Sequence, residues 1–178
     1  MKMFEFIRED VKRLNNQDGR SPFRALLAGI LSPGFQAIAV YRLFNLCYRV
    51  GIPTQPFRYF LERFVEITTG ISIPARCKIG KGFRIHHFGG IILHPDVEIG
   101  DFCTLYHEVT IGDCGGYGGA AKLGNNVLVG AGAKIVGKIE IGHDCMIGAN
   151  AVVTKSMPPN TIAYGNPAQF KQKNDESR

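Results

Sequence analysis

The stretch KLGNNVLVGAGAKIVGKIEIGHDCMIGANAVV, residues 122–153, decides the fold. Leu123, Val129, Ile135, Ile141, Ile147 and Val153 recur at steps of six, and Gly124, Gly130, Gly142 and Gly148 each directly follow one of them. A helix repeats at 3.6 residues and an alternating strand at 2, so neither makes this pattern. A short strand closed by a tight turn does. The step runs upstream through Leu93, Ile99, Leu105, Ile111 and Tyr117. After a slip of two residues at His86-His87 it continues through Ile73, Ile79 and Ile85. All fourteen positions are apolar in a chain that is 45% hydrophobic. Chance matches that roughly once in a hundred thousand trials, and an allowance of about a hundredfold for choosing the frame and the slip still leaves it rare. Three units make a triangular coil of about 18 residues, with the repeating side chains stacked inward and glycine near the corners. Residues 71–160 supply about five coils.

Upstream the period changes. Phe4, Ile7, Val11 and Leu14 share one helical face, and so do Phe57, Phe60, Leu61, Phe64 and Val65 behind Pro53 and Pro56. Residues 37–48 are apolar on nearly every side, as a helix with partners around it would be. The expected organisation is an α-helical N-terminal subdomain over 1–70, a coil domain over 71–170 and a polar tail over 171–178. Phe23, Leu26, Leu27, Ile30, Leu31 and Phe35, beside Arg20, Arg24 and Arg42, suggest a face that rests on a membrane surface.

Composition narrows the function classes. The 178 residues are one domain's worth of chain, and the net charge of +6 is modest. Residues 1–70 hold ten basic and six acidic side chains, and residues 71–170 hold eight and seven. With no dense basic stripe interleaved with aromatics, nucleic acid is not expected as a partner. The charged start (Lys2, Glu5, Arg8, Glu9, Asp10) does not read as a signal peptide. The longest uncharged stretch, residues 25–41, is too short and too broken by Ser32, Pro33 and Gly34 to span a membrane. Five cysteines (47, 77, 103, 114, 145) without CxxC spacing argue against a disulfide framework and against a metal site. A cytoplasmic protein is expected.

The hexads, with segments such as Val129-Gly130-Ala131-Gly132-Ala133 and the closing Gly165-Asn166-Pro167-Ala168, resemble the hexapeptide-repeat acyltransferases. The resemblance implies a mainly β fold, a left-handed parallel β-helix, assembled as a homotrimer and using acetyl-CoA between subunits. Handedness comes from the resemblance alone, since the crossover rule predicts the opposite hand. Within that superfamily, Pro33-Gly34-Phe35-Gln36-Ala37, Tyr41-Arg42 and Thr69-Gly70-Ile71 look like the serine acetyltransferase group, and the likeness covers residues 18 to 170.

Several positions depart from that group. Its Asp-His pair reads His86-His87 here, and a second Asp falls on Ser72. The Arg-His pair expected before the repeats resume, whose Arg clamps a carboxylate, is missing from Gly118-Gly119-Ala120-Ala121-Lys122-Leu123. The serine-holding Asp-Pro-Ala reads Asp18-Gly19-Arg20. Ile85-His86-His87 and the 106–112 stretch, Tyr-His-Glu-Val-Thr-Ile-Gly, look instead like the exopolysaccharide acetyltransferases of the colanic-acid type. The expected function is therefore O-acetyl transfer to a saccharide hydroxyl in surface-polysaccharide synthesis. The acceptor would be a saccharide or a lipid-linked glycan, reached by peripheral contact with the inner face of the membrane. The alternative is serine O-acetyltransferase, and from another class a non-catalytic scaffold.

O-Acetyl transfer from a thioester needs a base for the hydroxyl proton, a group that orients the base, and oxyanion donors. A neutral imidazole suits the first task. By resemblance His87 is the base. His86 orients it, contacts the acceptor or faces solvent, and His107, 20 residues on and near a full coil away, approaches the same place. Glu108 is a candidate to orient a histidine, and His94 and His143 read as surface residues. Matching positions imply acetyl-CoA contacts at Gly112, Ala131, Gly132 and Ala149, with Lys155 toward the nucleotide phosphates. Asp113-Cys114-Gly115-Gly116-Tyr117-Gly118-Gly119 reads as a loop near the acceptor or the pantetheine arm, and it lacks the Gly-Lys-Ser/Thr ending of a P-loop. Cys114 is not read as a nucleophile, because the family transfers directly from CoA.

Overall fold

The computed structural model describes residues 2–15, 27, 29–116 and 118–173. Helices α1 (Lys2–Asn15), α2 (Pro33–Arg49) and α3 (Phe57–Thr69) precede a left-handed parallel β-helix. The β-helix has three faces. The first stacks β1 (Ile71–Ser72), β4 (Ile91–Leu93), β7 (Thr110–Gly112), β10 (Lys134–Val136) and β13 (Val152–Val153). The second stacks β2 (Lys78–Ile79), β5 (Glu98–Ile99), β8 (Lys122–Leu123) and β11 (Glu140–Ile141). The third stacks β3 (Arg84–Ile85), β6 (Thr104–Leu105), β9 (Leu128–Val129), β12 (Met146–Ile147) and β14 (Thr161–Tyr164), and is edged by antiparallel β15 (Gln169–Gln172). Lys171 and Gln172 of the expected tail lie in β15, and 174–178 fall outside the described residues.

Each described residue of the hexad series is buried, from Ile73 at 9% exposed to Leu105, Ile111 and Val153 at 0%. A second buried column stands two residues before it at the turns: Cys77, Phe83, Val97, Cys103, Val109, Ala121, Val127, Ala133, Cys145 and Ala151. Three of the five cysteines are thus small apolar core residues. Burial pushes the Cys77 thiol up to about 12 and the Cys103 thiol to about 11.

The step of six through Tyr117 has a different origin from the rest. Leu93 pairs with Ile111, 18 residues on, but Ile111 pairs with Ile135, 24 residues on. Ile111 on the first face is followed directly by Leu123 on the second, so the glycine-rich stretch is a six-residue insertion and preserves the count by its length. Tyr117 itself lies outside the described residues.

The helices close the open end of the first coil, where carbonyls have no coil above them. Tyr41 donates to the Cys77 carbonyl at 2.8 Å, and Asn45 Nδ2 to those of Ala75 and Cys77 at 2.8 and 2.9 Å. Arg42, 2% exposed, donates to the Ile79 and Gly80 carbonyls at 2.6 and 2.5 Å and pairs with Asp10 at 3.0 Å. Asp10 in turn accepts from the Phe83 N–H at 2.9 Å. Ser32 caps α2, accepting from the Phe35 N–H, with Pro33 in the first turn.

The helical faces differ from expectation. Phe4 (83% exposed) and Ile7 (39%) point away from the coils, because α1 lays Asp10 and Arg13 against them instead. Phe57, Phe60 and Phe64 of α3 are likewise exposed. Arg42 belongs to the interior pair, which removes it from the basic edge of the expected membrane face. Residues 20–26 of that face lie outside the described residues. No helix among the described residues is long and apolar enough to cross a membrane.

Candidate active site

The corner from the third face to the first is built the same way in successive coils. Each N–H after the inward residue donates to the coil below: His86 to the Leu105 carbonyl at 2.9 Å, Tyr106 to Val129 at 3.0 Å, Gly130 to Ile147 at 2.7 Å. This ladder stacks His86 over Tyr106 over Gly130 over Gly148. The next positions form a second column: His87, His107, Ala131 and Ala149. Gly132 N–H reaches the His107 carbonyl at 2.9 Å and Asn150 N–H that of Ala131 at 2.8 Å. Imidazoles therefore stand at the top of a corner whose lower coils carry nothing larger than a methyl group.

The rings form one cluster. His87 lies with its ring centroid 4.6 Å from that of His86 and 5.7 Å, edge to face, from that of His107. His86 stacks on Tyr106 at 4.8 Å with the planes 9° apart. The two coils thus fix the base candidate by ring packing, where the residue types before it offer no carboxylate. Burial, reinforced by the charges of Arg84 and His87, holds His86 below the usual histidine range, so it is neutral at neutral pH. The Nδ1 atoms of His86 and His107 are buried without a partner. A buried N–H with no acceptor is costlier than a bare lone pair, so the favoured neutral tautomer carries its proton on Nε2. Among the described residues no group of histidine, cysteine, aspartate and glutamate is arranged to hold a metal ion.

The other expected residues divide between two places. Ala131, Gly132 and Ala149 lie under the histidines. Gly112 and Lys155 lie at the opposite end of the first face, on its corner with the second, a strand's length of about 10 Å away. The glycine-rich stretch that carries the insertion leaves from that far corner too, with exposed Cys114 beside Gly137. Gly132 has a structural reason of its own: its φ is +72°, and an added Cβ would meet Asn150 Oδ1 at 2.1 Å. Gly112 has no such constraint, with nothing within 4 Å of an added Cβ. Glu108 is exposed and its carboxylate makes no hydrogen bond to a histidine among the described residues. His94 and His143 are turn residues whose Nδ1 atoms accept from the N–H groups of Asp96 (3.2 Å) and Asn125 (2.8 Å). Tyr106 was visible in the sequence only as part of a motif; its place directly below His86, 20 residues on, is the signal that finds it. Arg84, two residues before His86 on the same outer side, had no signal of its own.

Comparison with known proteins gives this geometry a family. Residues 120–155 match the bacterial transferase hexapeptide (six repeats) family. A serine acetyltransferase of Helicobacter pylori is 40% identical over 147 residues, 79% of this chain and 82% of the relative. A serine acetyltransferase from Brucella abortus, solved in complex with coenzyme A, superposes with a TM-score of 0.86 at 28% identity, covering 97% of this chain and 68% of that one. Soybean serine acetyltransferase complexed with serine gives a TM-score of 0.84 at 31% identity over 95% and 69%. These relatives overturn the expected saccharide acceptor and the nearness to colanic-acid enzymes. The motif behind that expectation carries no acceptor information: Ile85 faces the core at 7% exposed, and a base flanked by imidazoles serves any alcohol. Nothing in the comparisons supports a lipid-linked acceptor or membrane contact either. With identity of this level across more than two thirds of a relative's length, the chain belongs to the serine acetyltransferase family of hexapeptide-repeat transferases.

Proposed function

We propose that this chain, an acetyltransferase by family, transfers the acetyl group of acetyl-CoA to the side-chain hydroxyl of L-serine, with His87 as general base. The observation that carries the reading is the corner column itself. His87 and His107 stand over Ala131 and Ala149, so an extended thioester can lie along the small residues with its reactive end at the imidazoles. Coenzyme A in the Brucella abortus complex and serine in the soybean complex support the two substrates.

His87 takes the proton of the serine hydroxyl as its oxygen attacks the thioester carbonyl. A new C–O bond forms, the C–S bond breaks, and the departing thiolate recovers the proton from the imidazolium to leave as CoA. The Nε2–H donor of His107 beside the base is placed to steady charge that develops at the reacting centre. The stack of His86 on Tyr106 positions His87.

The split of Gly112 and Lys155 from the histidine corner favours a homotrimer in which the far corner of one subunit meets the histidine corner of the next. The surfaces suit this. The second face carries an exposed charge ladder, Lys78–Glu98 at 2.9 Å and Glu98–Lys122 at 3.8 Å, whereas Ile92 and Met146 are exposed on the other two. The test of the reaction is product identification by mass spectrometry after incubation with acetyl-CoA and L-serine, L-threonine or L-homoserine in parallel. O-Acetylserine as the dominant product supports the proposal, and CoA release with no acetylated serine refutes it.

A further inference from the structure

Arg84 of β3 is a half-buried cation without a carboxylate partner among the described residues. Arg42, Arg58, Arg63 and Arg76 each hold a carboxylate, at 3.0, 3.7, 2.9 and 2.8 Å. Among the described residues the half-buried Arg84 makes no ion pair and no hydrogen bond. It is also crowded by a second cation. Arg13 of α1 reaches the same edge, its Nη1 donating to the carbonyls of Gly82 at 2.6 Å and Cys103 at 3.2 Å. Burial lowers the Arg13 pKa, and the charge of Arg84 lowers it further. Asp10, nearby, is committed to Arg42 and the Phe83 N–H. Two guanidiniums on one edge without an available carboxylate make a place that favours a small anion.

Its position names the anion. Ile85 points into the core, so strand alternation puts Arg84 and His86 on the same outer side, their Cα atoms about 6.6 Å apart. The Nδ1 of His86 is buried without a partner, which leaves Nε2 as its donor, and its ring lies 4.6 Å from that of His87. The carboxylate carbon of an acceptor such as serine is three bonds from its hydroxyl oxygen, so an oxyanion held by both residues leaves that hydroxyl within reach of the base. The phosphates of a coenzyme lie at the far end of the pantetheine arm from the thioester, so a carboxylate on the acceptor fits this spacing better.

We propose that Arg84 and His86 form the subsite that binds the acceptor's carboxylate, the guanidinium as a two-pronged donor and His86 Nε2–H as a third. The subsite rests on the amino-acid acceptor proposed above. It gives the chain a carboxylate clamp on the third face, in place of one on the glycine-rich insertion.

The experiment compares wild type, Arg84→Gln and Arg84→Lys by CoA release with L-serine and with L-serinamide, and by melting with and without L-serine. Loss of a charged hydrogen-bond donor predicts a rise of about 10- to 100-fold in KM for L-serine in Arg84→Gln. KM for acetyl-CoA should stay within about twofold of wild type, the preference for serine over serinamide should collapse, and Arg84→Lys should be intermediate. Unchanged serine KM and preference overturn the subsite. A shift confined to KM for acetyl-CoA also overturns it and assigns Arg84 to the coenzyme's phosphates. If the wild type does not turn over serine, the reaction reading fails on its own. Stabilisation by L-serine that disappears in Arg84→Gln then still upholds the subsite, and its absence in the wild type removes it.

Discussion

Asp10 and Arg42 are the test of how the helices hold the first coil in place. Asp10→Ala leaves the guanidinium of Arg42, 2% exposed, with two carbonyls and no counter-charge, and it strips the acceptor from the Phe83 N–H. Breaking a buried pair from one side costs about 3–5 kcal/mol. Arg42→Met costs a similar amount, since it strands the carboxylate and leaves the Ile79 and Gly80 carbonyls unpaired. The double variant Asp10→Leu/Arg42→Met removes both charges and retains only the cost of the Ile79 and Gly80 carbonyls and the Phe83 N–H, about 1–3 kcal/mol each. The singles therefore sum to more than the double loses. Urea unfolding followed by circular dichroism measures all three, with the slope checked for constancy. Each single should melt roughly 10 °C below wild type. Single losses under about 1 kcal/mol, or simple additivity, would refute the claim that this pair pins α1 and α2 to the strand that leads to His87.

Thiol chemistry should follow burial: in the native protein Cys114 reacts rapidly with a maleimide and Cys47 more slowly, while Cys77, Cys103 and Cys145, buried and with raised thiol pKa values, stay unlabelled in peptide mapping. Two glycine substitutions should separate folding from binding. Gly132→Ala, at positive φ and against Asn150, lowers stability by about 1–3 kcal/mol, whereas Gly112→Ala, with open space around it, melts like wild type but raises KM for acetyl-CoA. The lowered pKa of His86 sets a sign for acid stability: the unfolded chain binds the extra proton first, so the contribution is complete above about pH 6.5 and is lost as pH falls through the lower folded value. His86→Gln should flatten that part of the stability–pH curve, and an unchanged slope would contradict it.

The coils were legible because a stacked solenoid repeats one steric demand, an inward apolar side chain every sixth residue, and Leu123 to Val153 meet it without interruption. The second buried column was not, since Cys, Ala and Val at the turns look no different from ordinary small residues. The insertion around Tyr117 hid behind its own length: six extra residues leave the count intact while adding no strand. The last coil also escaped the pattern, because Met157 follows Val153 by four residues and still pairs beside Ile141. At the site, His86, His87 and His107 could be placed together because a coil of about 18 residues, lengthened by two at the slip, sets 87 over 107. Arg42 was misplaced, since its partner lies 32 residues away and its other acceptors are backbone carbonyls that leave no mark in sequence. The acceptor was unreadable for a chemical reason: a histidine base serves any hydroxyl, and what selects the alcohol sits on neighbouring outer positions such as Arg84.

The central claim is that His87 removes the proton of the serine hydroxyl at the coil corner. Its most direct measurement is kcat for serine-dependent CoA release by His87→Ala beside wild type, with coenzyme A affinity measured on both by calorimetry. A general base predicts a fall of about 10²- to 10⁴-fold in kcat with coenzyme affinity unchanged. A variant that keeps the wild-type rate while binding coenzyme A equally well would contradict it.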